Sequence, residues 1–125
     1  MPRSDSWVYR SNRWRDVPST LRRVIRHRRA RARRGFSGYD AWNLDGYLAQ
    51  VIADGARWLR ENSHGYPADL NGIEEWKAVL ERIETPLRVW AEQRHDMTLD
   101  EEERWEERCR EALALFGEYF FALWD

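Results

Sequence analysis

The densest chemical feature of this sequence is the arginine run from Arg22 to Arg34, with eight arginines in thirteen residues. Guanidinium groups are planar donors that bind phosphate oxygens in a bidentate manner, and such binding weakens steeply with salt. The candidate phosphate ligands are Arg22, Arg23, Arg26, Arg28, Arg29, Arg31 and Arg33. Two other interpretations stay open: the run folds against acidic residues of its own or a neighbouring subunit, or it is a solvated arm.

A second set of residues suits a small nucleotide, because aromatic rings stack on a base and arginine binds phosphate. Trp42 and Asp45 are three residues apart, a spacing that places them on one helical face. Asp45 lies beside an apolar stripe and needs a partner, with Arg34, Arg57 and the turn donors around His64 as candidates. The turn His64-Gly65-Tyr66-Pro67 adds an imidazole and a phenol. The predicted ligand-binding residues are Arg34, Trp42, Asp45, His64 and Tyr66; a structural ion pair and ordinary tryptophan packing are the alternatives.

The sequence lacks the motifs of the common enzyme classes. Its only cysteine, Cys109, falls on an apolar helical stripe, which indicates a buried side chain rather than a nucleophile. The three histidines show no metal-ligand spacing, and there is no glycine-rich phosphate loop. One cysteine also excludes an internal disulfide framework. We therefore expect a protein without enzymatic activity, cofactor or metal.

Charge is distributed unevenly along the 125 residues. Residues 1–34 carry twelve arginines against Asp5 and Asp16, a local charge of +10, whereas residues 35–125 carry nine basic and twenty acidic residues, a local charge of −11. The net charge of −1 excludes a uniformly basic nucleic-acid binder. This asymmetry predicts two segments: an arginine-rich arm with the first helix at 1–34, and an acidic, tryptophan-rich bundle at 35–125.

The elements that position these residues are predicted to be helices, because no alternating strand pattern occurs. Pro18 suits the first turn of a helix and Gly35 its end. Ser37 with Asp40 resembles a capping box that opens a second helix, running to about Asn62. Its apolar face is predicted from residues spaced alternately four and three apart: Leu44, Leu48, Val51, Gly55 and Trp58.

Two further helices follow a loop at residues 64–72. Asn71 with Glu74 resembles a cap, and the next stripe comprises Ile73, Trp76, Leu80, Ile83, Leu87 and Trp90. Pro86 predicts a kink or a break near Glu84. Thr98 with Glu101 predicts the start of the last helix, whose stripe comprises Trp105, Cys109, Ala112, Phe116, Phe120 and Leu123.

These patterns predict an all-α fold, a small antiparallel helical bundle of about four helices with a basic N-terminal arm. The last helix is apolar around much of its circumference near Leu115–Trp124, and one buried face would leave some of its aromatic residues exposed. We therefore expect a homo-oligomer formed through the C-terminal helix. No apolar run is long enough to span a membrane, and we expect no membrane association.

Several separated motifs resemble a widespread family of small, uncharacterised bacteriophage proteins. The motifs are Arg34-Gly35-Phe36-Ser37, Trp42-Asn43-Leu44-Asp45 with Leu48-Ala49, Gly65-Tyr66-Pro67, Glu74-Glu75-Trp76, and the tail from Leu115 to Asp125. The resemblance covers about residues 34–125. It implies a phage origin and a host-cytoplasmic location, and it carries over no catalytic residue.

These observations predict a non-enzymatic phage protein that sequesters a ligand, with a small nucleotide signal of a bacterial defence system as the candidate. The alternative is an inhibitor that binds nucleic acid or a host defence protein through residues 22–34.

Overall fold

The computed structural model describes residues 18–124, which divide into two compact units between Asn43 and Leu44. We call residues 18–43 the arginine unit and residues 44–124 the bundle unit; the arm predicted before residue 18 lies outside the described residues. No strand occurs in residues 18–124, which confirms the all-α prediction of a small helical bundle. The helices are α1 (Ser19–Arg34), α2 (Gly38–Trp42), α3 (Leu44–Asn62), α4 (Ile73–Gln93) and α5 (Leu99–Glu118), with single 3₁₀ turns at Arg94–Asp96 and Phe120–Ala122.

The first helix begins and ends where the sequence predicts. Pro18 is its N-cap residue and Gly35 its C-cap residue. Gly35 has φ of 86°, in the left-handed region that glycine adopts without steric cost, and its N–H donates to the carbonyl oxygen of Arg31 at 2.9 Å. Arginines occupy the last turn of α1, where the helix dipole favours cations.

The capping box at Ser37 and Asp40 is confirmed, but the single long helix predicted to follow it is wrong. The Ser37 side chain accepts from the backbone N–H of Asp40, and the Asp40 side chain accepts from the backbone N–H of Ser37. The helix that starts there ends after one turn and a half, because Asn43 leaves helical geometry at φ −128° and ψ 50°. A new helix begins at Leu44.

In the bundle unit, α4 packs against both α3 and α5 and supplies half of the core residues, including all the largest ones. The predicted α4 stripe is confirmed, since Trp76, Leu80, Ile83 and Leu87 are all buried. Small side chains of α3 and α5 complete the core. The whole core consists of Ala49, Ala53, Ala56, Trp76, Val79, Leu80, Ile83, Leu87, Cys109 and Ala112.

The buried face of α3 is not the one predicted. α3 buries Gly46, Ala49, Ala53 and Ala56. The predicted face lies largely in solvent instead: Leu44, Leu48, Val51 and Trp58 are 43–54% exposed. The physical reason is volume. The large α4 side chains already fill the space between the helices, so the small-residue face of α3 is the one that lets the two backbones approach.

The start and the middle of α4 differ from the prediction. The Asn71 cap is wrong: Gly72 is the N-cap residue, and the Asn71 N–H donates to Glu75 Oε2 at 3.0 Å. The helix runs without a break through Pro86, so the predicted break does not occur. Buried Ile83 and Leu87 flank this proline, and their packing offsets the missing backbone hydrogen bond.

The last helix begins as predicted, with a capping box between Thr98 and Glu101. It ends at Glu118, and a 3₁₀ turn follows at Phe120–Ala122. Cys109 and Ala112 are buried as predicted, but Phe120 remains half-exposed. No helix in residues 18–124 carries an apolar stretch long enough to cross a membrane.

Candidate nucleic-acid interface

The arginine unit concentrates positive charge on a helix that has no buried face. Residues 18–43 contain eight arginines and a single acid, Asp40, which gives a local charge of +7. None of the sixteen residues of α1 is buried. Six of the eight arginines of α1 are exposed to solvent, and this arrangement suits a polyanion that lies along the helix.

Asp40 fastens α1 to the segment that follows it. Its carboxylate is 4% exposed and accepts from Arg31 Nε at 2.9 Å and from Arg31 Nη2 at 2.7 Å. The same carboxylate accepts from the backbone N–H and the side-chain hydroxyl of Ser37, at 2.8 and 3.1 Å. His27 Nδ1 is hydrogen-bonded to Ser37 Oγ. This polar cluster, rather than an apolar core, holds the turn of α2 against α1.

The Arg31 guanidinium, together with the hydrogen bonds from Ser37, holds the pKa of the Asp40 carboxyl well below its usual range and outweighs desolvation. Asp40 is therefore ionised throughout the neutral range. Arg31 belongs to the predicted set of phosphate ligands, but its bidentate pairing with Asp40 gives it a structural role. The Arg31–Asp40 pair could have been predicted from the sequence, since the capping-box aspartate lies nine residues after this arginine of the preceding helix.

Two aromatic rings project from the same unit. Tyr39 and Trp42 are 79% and 93% exposed, and they lie three residues apart in α2, which places them on one helical face. The Tyr39 ring also meets the His27 ring edge-on at 5.7 Å between centroids. Trp42 was among the predicted ligand-binding residues and Tyr39 was not, although the spacing of the two within a capped helical turn was a usable signal.

Arg34, at the end of α1, turns back onto the chain that follows it. Its Nε donates to the carbonyl oxygen of Phe36 at 2.9 Å, and its guanidinium lies 4.8 Å from the centroid of the Phe36 ring. This contact fixes the chain between Gly35 and the start of α2. Guanidinium groups along α1 and exposed rings on α2 therefore occur within 26 consecutive residues, 18–43.

The five predicted ligand-binding residues are divided between the two units. Arg34 and Trp42 belong to the arginine unit, whereas Asp45, His64 and Tyr66 belong to the bundle unit. Trp42 and Asp45 lie in different helices because the helix is interrupted at Asn43. The prediction that they share one helical face is therefore wrong. His64 and Tyr66 lie in the loop between α3 and α4, and both are exposed.

Asp45 has partners other than those predicted for it. Its Oδ2 accepts from Arg94 Nη1 at 2.7 Å and from Trp90 Nε1 at 3.1 Å. Burial opposes ionisation of Asp45, but the Trp90 and Arg94 contacts outweigh it and lower the carboxyl pKa. The other expected partner, Arg57, donates from Nε to Glu84 Oε2 at 2.8 Å. Asp45 therefore joins the start of α3 to the end of α4, a structural role.

Glu84 is the one buried acid of α4, and three guanidinium groups surround it. Arg57 and Arg88 donate to its Oε2 at 2.8 and 3.1 Å, and Arg60 donates to its Oε1. Arg88 also contacts Asp54 of α3 at 2.9 Å. Burial opposes ionisation of Glu84, but these arginines outweigh it and lower the pKa of the carboxyl. The cluster ties α3 to α4, and its charges are paired within the bundle unit.

Residues 18–124 contain one cysteine and no cluster of potential metal ligands. No group of three or more His, Cys, Asp or Glu side chains in that range could hold a metal ion. The thiol of Cys109 is 7% exposed, and burial raises its pKa to about 11. Its Sγ donates to the carbonyl oxygen of Pro86 at 3.3 Å. A protonated, buried thiol is a poor nucleophile.

Comparisons of the chain with family models, with curated proteins and with solved structures found no match.

Proposed function

We propose that the arginine unit binds single-stranded nucleic acid and that the protein acts through this binding rather than through catalysis. The observation that carries the proposal is the pair of exposed rings, Tyr39 and Trp42, on a 26-residue unit of charge +7. Arginines neutralise the backbone phosphates, and the rings give unpaired bases a stacking surface. Two exposed aromatic rings on one helical face favour a binding surface over a merely solvated arm.

The arrangement favours a single strand over a duplex. Bases in a duplex are already stacked on one another, whereas unpaired bases can stack on Tyr39 and Trp42. Phosphate contacts depend little on sequence, so we expect weak sequence preference. The resemblance to small bacteriophage proteins supports a phage setting in the host cytoplasm, where inhibition of a bacterial defence remains the proposed outcome.

Sequestration of a small nucleotide signal by Arg34, Trp42, Asp45, His64 and Tyr66 stays a separate prediction. Asp45 accepts hydrogen bonds from Trp90 and Arg94, so its carboxylate has a structural role that does not depend on a ligand. Binding of a host defence protein through residues 22–34 and folding of that run against acidic residues also stay predictions. The exposed rings favour bases over a carboxylate surface as the partner of this unit.

The test is fluorescence anisotropy of the full chain with a labelled oligothymidylate of about 12 nucleotides, a length within the site sizes of single-strand binders. Contact with about five phosphates predicts that log affinity falls with log salt with a slope of about −3.5. Replacing Trp42 by alanine should weaken binding by about 5- to 150-fold, the range of one stacked base, and should leave the salt slope unchanged.

Trp124→Ala is the matched control, because Trp124 is 74% exposed but belongs to the bundle unit. Arg28→Gln should reduce the salt slope by about 0.7, since it removes one phosphate contact. Absence of binding at low salt, or equal affinities of the Trp42→Ala and Trp124→Ala variants, would refute the proposal. Saturable binding of AMP that Tyr66→Ala abolishes would transfer the function to the predicted sequestration site.

A further inference from the structure

The bundle unit leaves an apolar helical face without a partner in residues 44–124. Leu48, Val51 and Trp58 of α3 are 46%, 47% and 54% exposed. With Leu44 and Gly55 they are spaced four and three residues apart, which is the spacing of the contact seam between two paired helices. The opposite face of α3 packs on α4, so this seam faces away from the core.

The seam continues into a groove between α3 and the end of α5. The groove encloses about 420 Å³, and its lining is formed by Val51, Ile52, Gly55, Ala56, Trp58, Leu59, Ile83, Phe116 and Leu123. Beyond it, the Phe116 ring meets the Phe120 ring edge-on at 5.5 Å, and Phe120 meets Phe121 at 5.2 Å. The seam shares Val51, Gly55 and Trp58 with the groove, and we call the seam, the groove and these phenylalanines together the apolar face.

The apolar face is large enough for a stable protein interface. Phe121 is 89% exposed, and Phe120 and Trp58 are about half-exposed. At 150–250 Å² for a whole aromatic side chain, these rings and the exposed aliphatic residues of α3 together offer roughly 600 Å². A standard interface takes about 800 Å² from each partner, of which roughly 500 Å² is apolar. The face therefore supplies the apolar share of a complete interface.

The charge around this face favours a protein partner over a lipid surface. Residues 44–124 contain nine basic and eighteen acidic residues, a local charge of −9. Anionic lipid headgroups repel such a unit, and interfacial helices bind membranes through lysine- and arginine-rich flanks. A partner helix with an apolar face of its own fits this surface, and a second copy of the chain supplies one.

We propose that a second copy of this chain covers the apolar face, with α3 packed antiparallel on its own counterpart about a two-fold axis at Gly55. A two-fold interface pairs one surface with itself, so residues equally distant from the axis face each other. Trp58 and Ile52 are each three residues from Gly55, so the indole of one copy enters the groove beside Ile52 of the other. Gly55, which lacks a side chain, permits the close approach.

This pairing differs from the oligomer expected from the sequence, which used the C-terminal helix alone. In the proposed dimer α3 supplies the seam, and Phe116, Phe120 and Leu123 supply its rim. The dimer does not depend on nucleic-acid binding. Because the interface is apolar, it persists at salt concentrations that abolish phosphate contacts.

The test is the mass of the full chain by sedimentation equilibrium in about 0.5 M NaCl, where exposed charges are screened. We expect a species of twice 15.1 kDa. A Cβ at Gly55 meets no atom within 4 Å, so Gly55→Glu leaves the monomer intact while it places an unpaired charge in the interface. The dimer dissociation constant should rise by at least about 100-fold.

Gln50→Glu is the matched control, because Gln50 is an exposed residue of α3 outside the seam and receives the same added charge. Its dimer constant should change little, and circular dichroism verifies that both variants fold. Gly55→Cys adds a second measurement, since Cys109 is buried. Mild oxidation should link two chains at position 55, and Gln50→Cys should remain unlinked.

A monomer at every concentration would overturn the proposal. The same conclusion would follow if Gly55→Glu and Gln50→Glu dimerised equally, or if Gly55→Cys failed to cross-link while the unmodified chain sedimented as a dimer. A native mass that shows one chain with a bound small molecule would assign the groove to that ligand instead.

Discussion

Replacement of Glu84 by glutamine tests whether the three arginines around this buried carboxylate hold α3 on α4. The substitution keeps the shape of the side chain, but it removes the only buried carboxylate among Arg57, Arg60 and Arg88. Arg57 is half-exposed, so its pair contributes little. Arg60 and Arg88 are 30% and 19% exposed, and each hydrogen bond from such a charged group contributes about 1.5–3 kcal/mol.

Glutamine retains one acceptor oxygen, so part of the interaction with Arg60 or Arg88 survives. The expected loss in free energy of unfolding is therefore about 3 kcal/mol, at the lower end of the cost of breaking a buried ion pair. A small domain has about 5–15 kcal/mol of stability in total. At a denaturant dependence of about 1.5 kcal/mol per molar urea, the unfolding midpoint should fall by about 2 M.

The assay is urea unfolding followed by far-UV circular dichroism at one fixed protein concentration. Glu81→Gln is the control, because Glu81 is exposed on the same helix, and it should stay within about 0.5 kcal/mol of the unmodified protein. A loss below about 1 kcal/mol for Glu84→Gln, or equal losses for both variants, would refute the reasoning. It would mean that apolar packing alone fixes α3 on α4.

The remaining predictions concern other local features. Because the folded-state pKa of Asp40 is lowered, its stabilising contribution is complete above the unfolded value of about 3.9 and is lost as pH falls below it. An acid titration followed by circular dichroism should show a loss of helicity in the unmodified protein below that pH, and the Asp40→Asn variant should lack this loss. Thr98→Ala should cost about 1 kcal/mol in urea unfolding, since it removes the α5 cap. Cys109, with its pKa raised to about 11, should react with a thiol reagent at pH 8 only after denaturation. Gly35→Ala should destabilise α1 by about 1–2 kcal/mol because of its positive φ, which circular dichroism measures.

Each of these predictions has an outcome that contradicts it. Identical acid titrations of the Asp40→Asn and unmodified proteins would assign the acid transition to other carboxylates. Equal midpoints for Thr98→Ala and the unmodified chain would mean that solvent satisfies the first turn of α5. Rapid labelling of native Cys109 would show that the α4–α5 contact opens. Unchanged helicity of Gly35→Ala would mean that the chain after α1 tolerates another conformation.

Features that depend only on neighbouring residues could be predicted from the sequence. Gly35 ends α1 because only glycine enters the left-handed region without cost, and Ser37 and Thr98 open helices because their hydroxyl groups accept from N–H groups three residues later. The α4 stripe was also readable, since large apolar residues at a single helical spacing have no competing arrangement.

Which face of α3 is buried depends on its packing against α4 and could not be predicted from the sequence. That helix carries two candidate faces, a small one at Ala49, Ala53 and Ala56 and a large one that includes Leu48 and Trp58. Helical periodicity alone favours the larger side chains. The volume of the α4 residues opposite selects the small face, and this volume is a property of the packed pair rather than of either helix.

The polar partners were decided in the same way. Asp45 pairs with Trp90 and Arg94, which are 45 and 49 residues away, and Glu84 collects arginines from α3. A carboxylate signals in the sequence that it needs a donor, but the identity of that donor depends on which helix ends meet in space. The sequence therefore determined the helices and the charge they carry, whereas the packing of α3 on α4 determined which groups remain available for a partner.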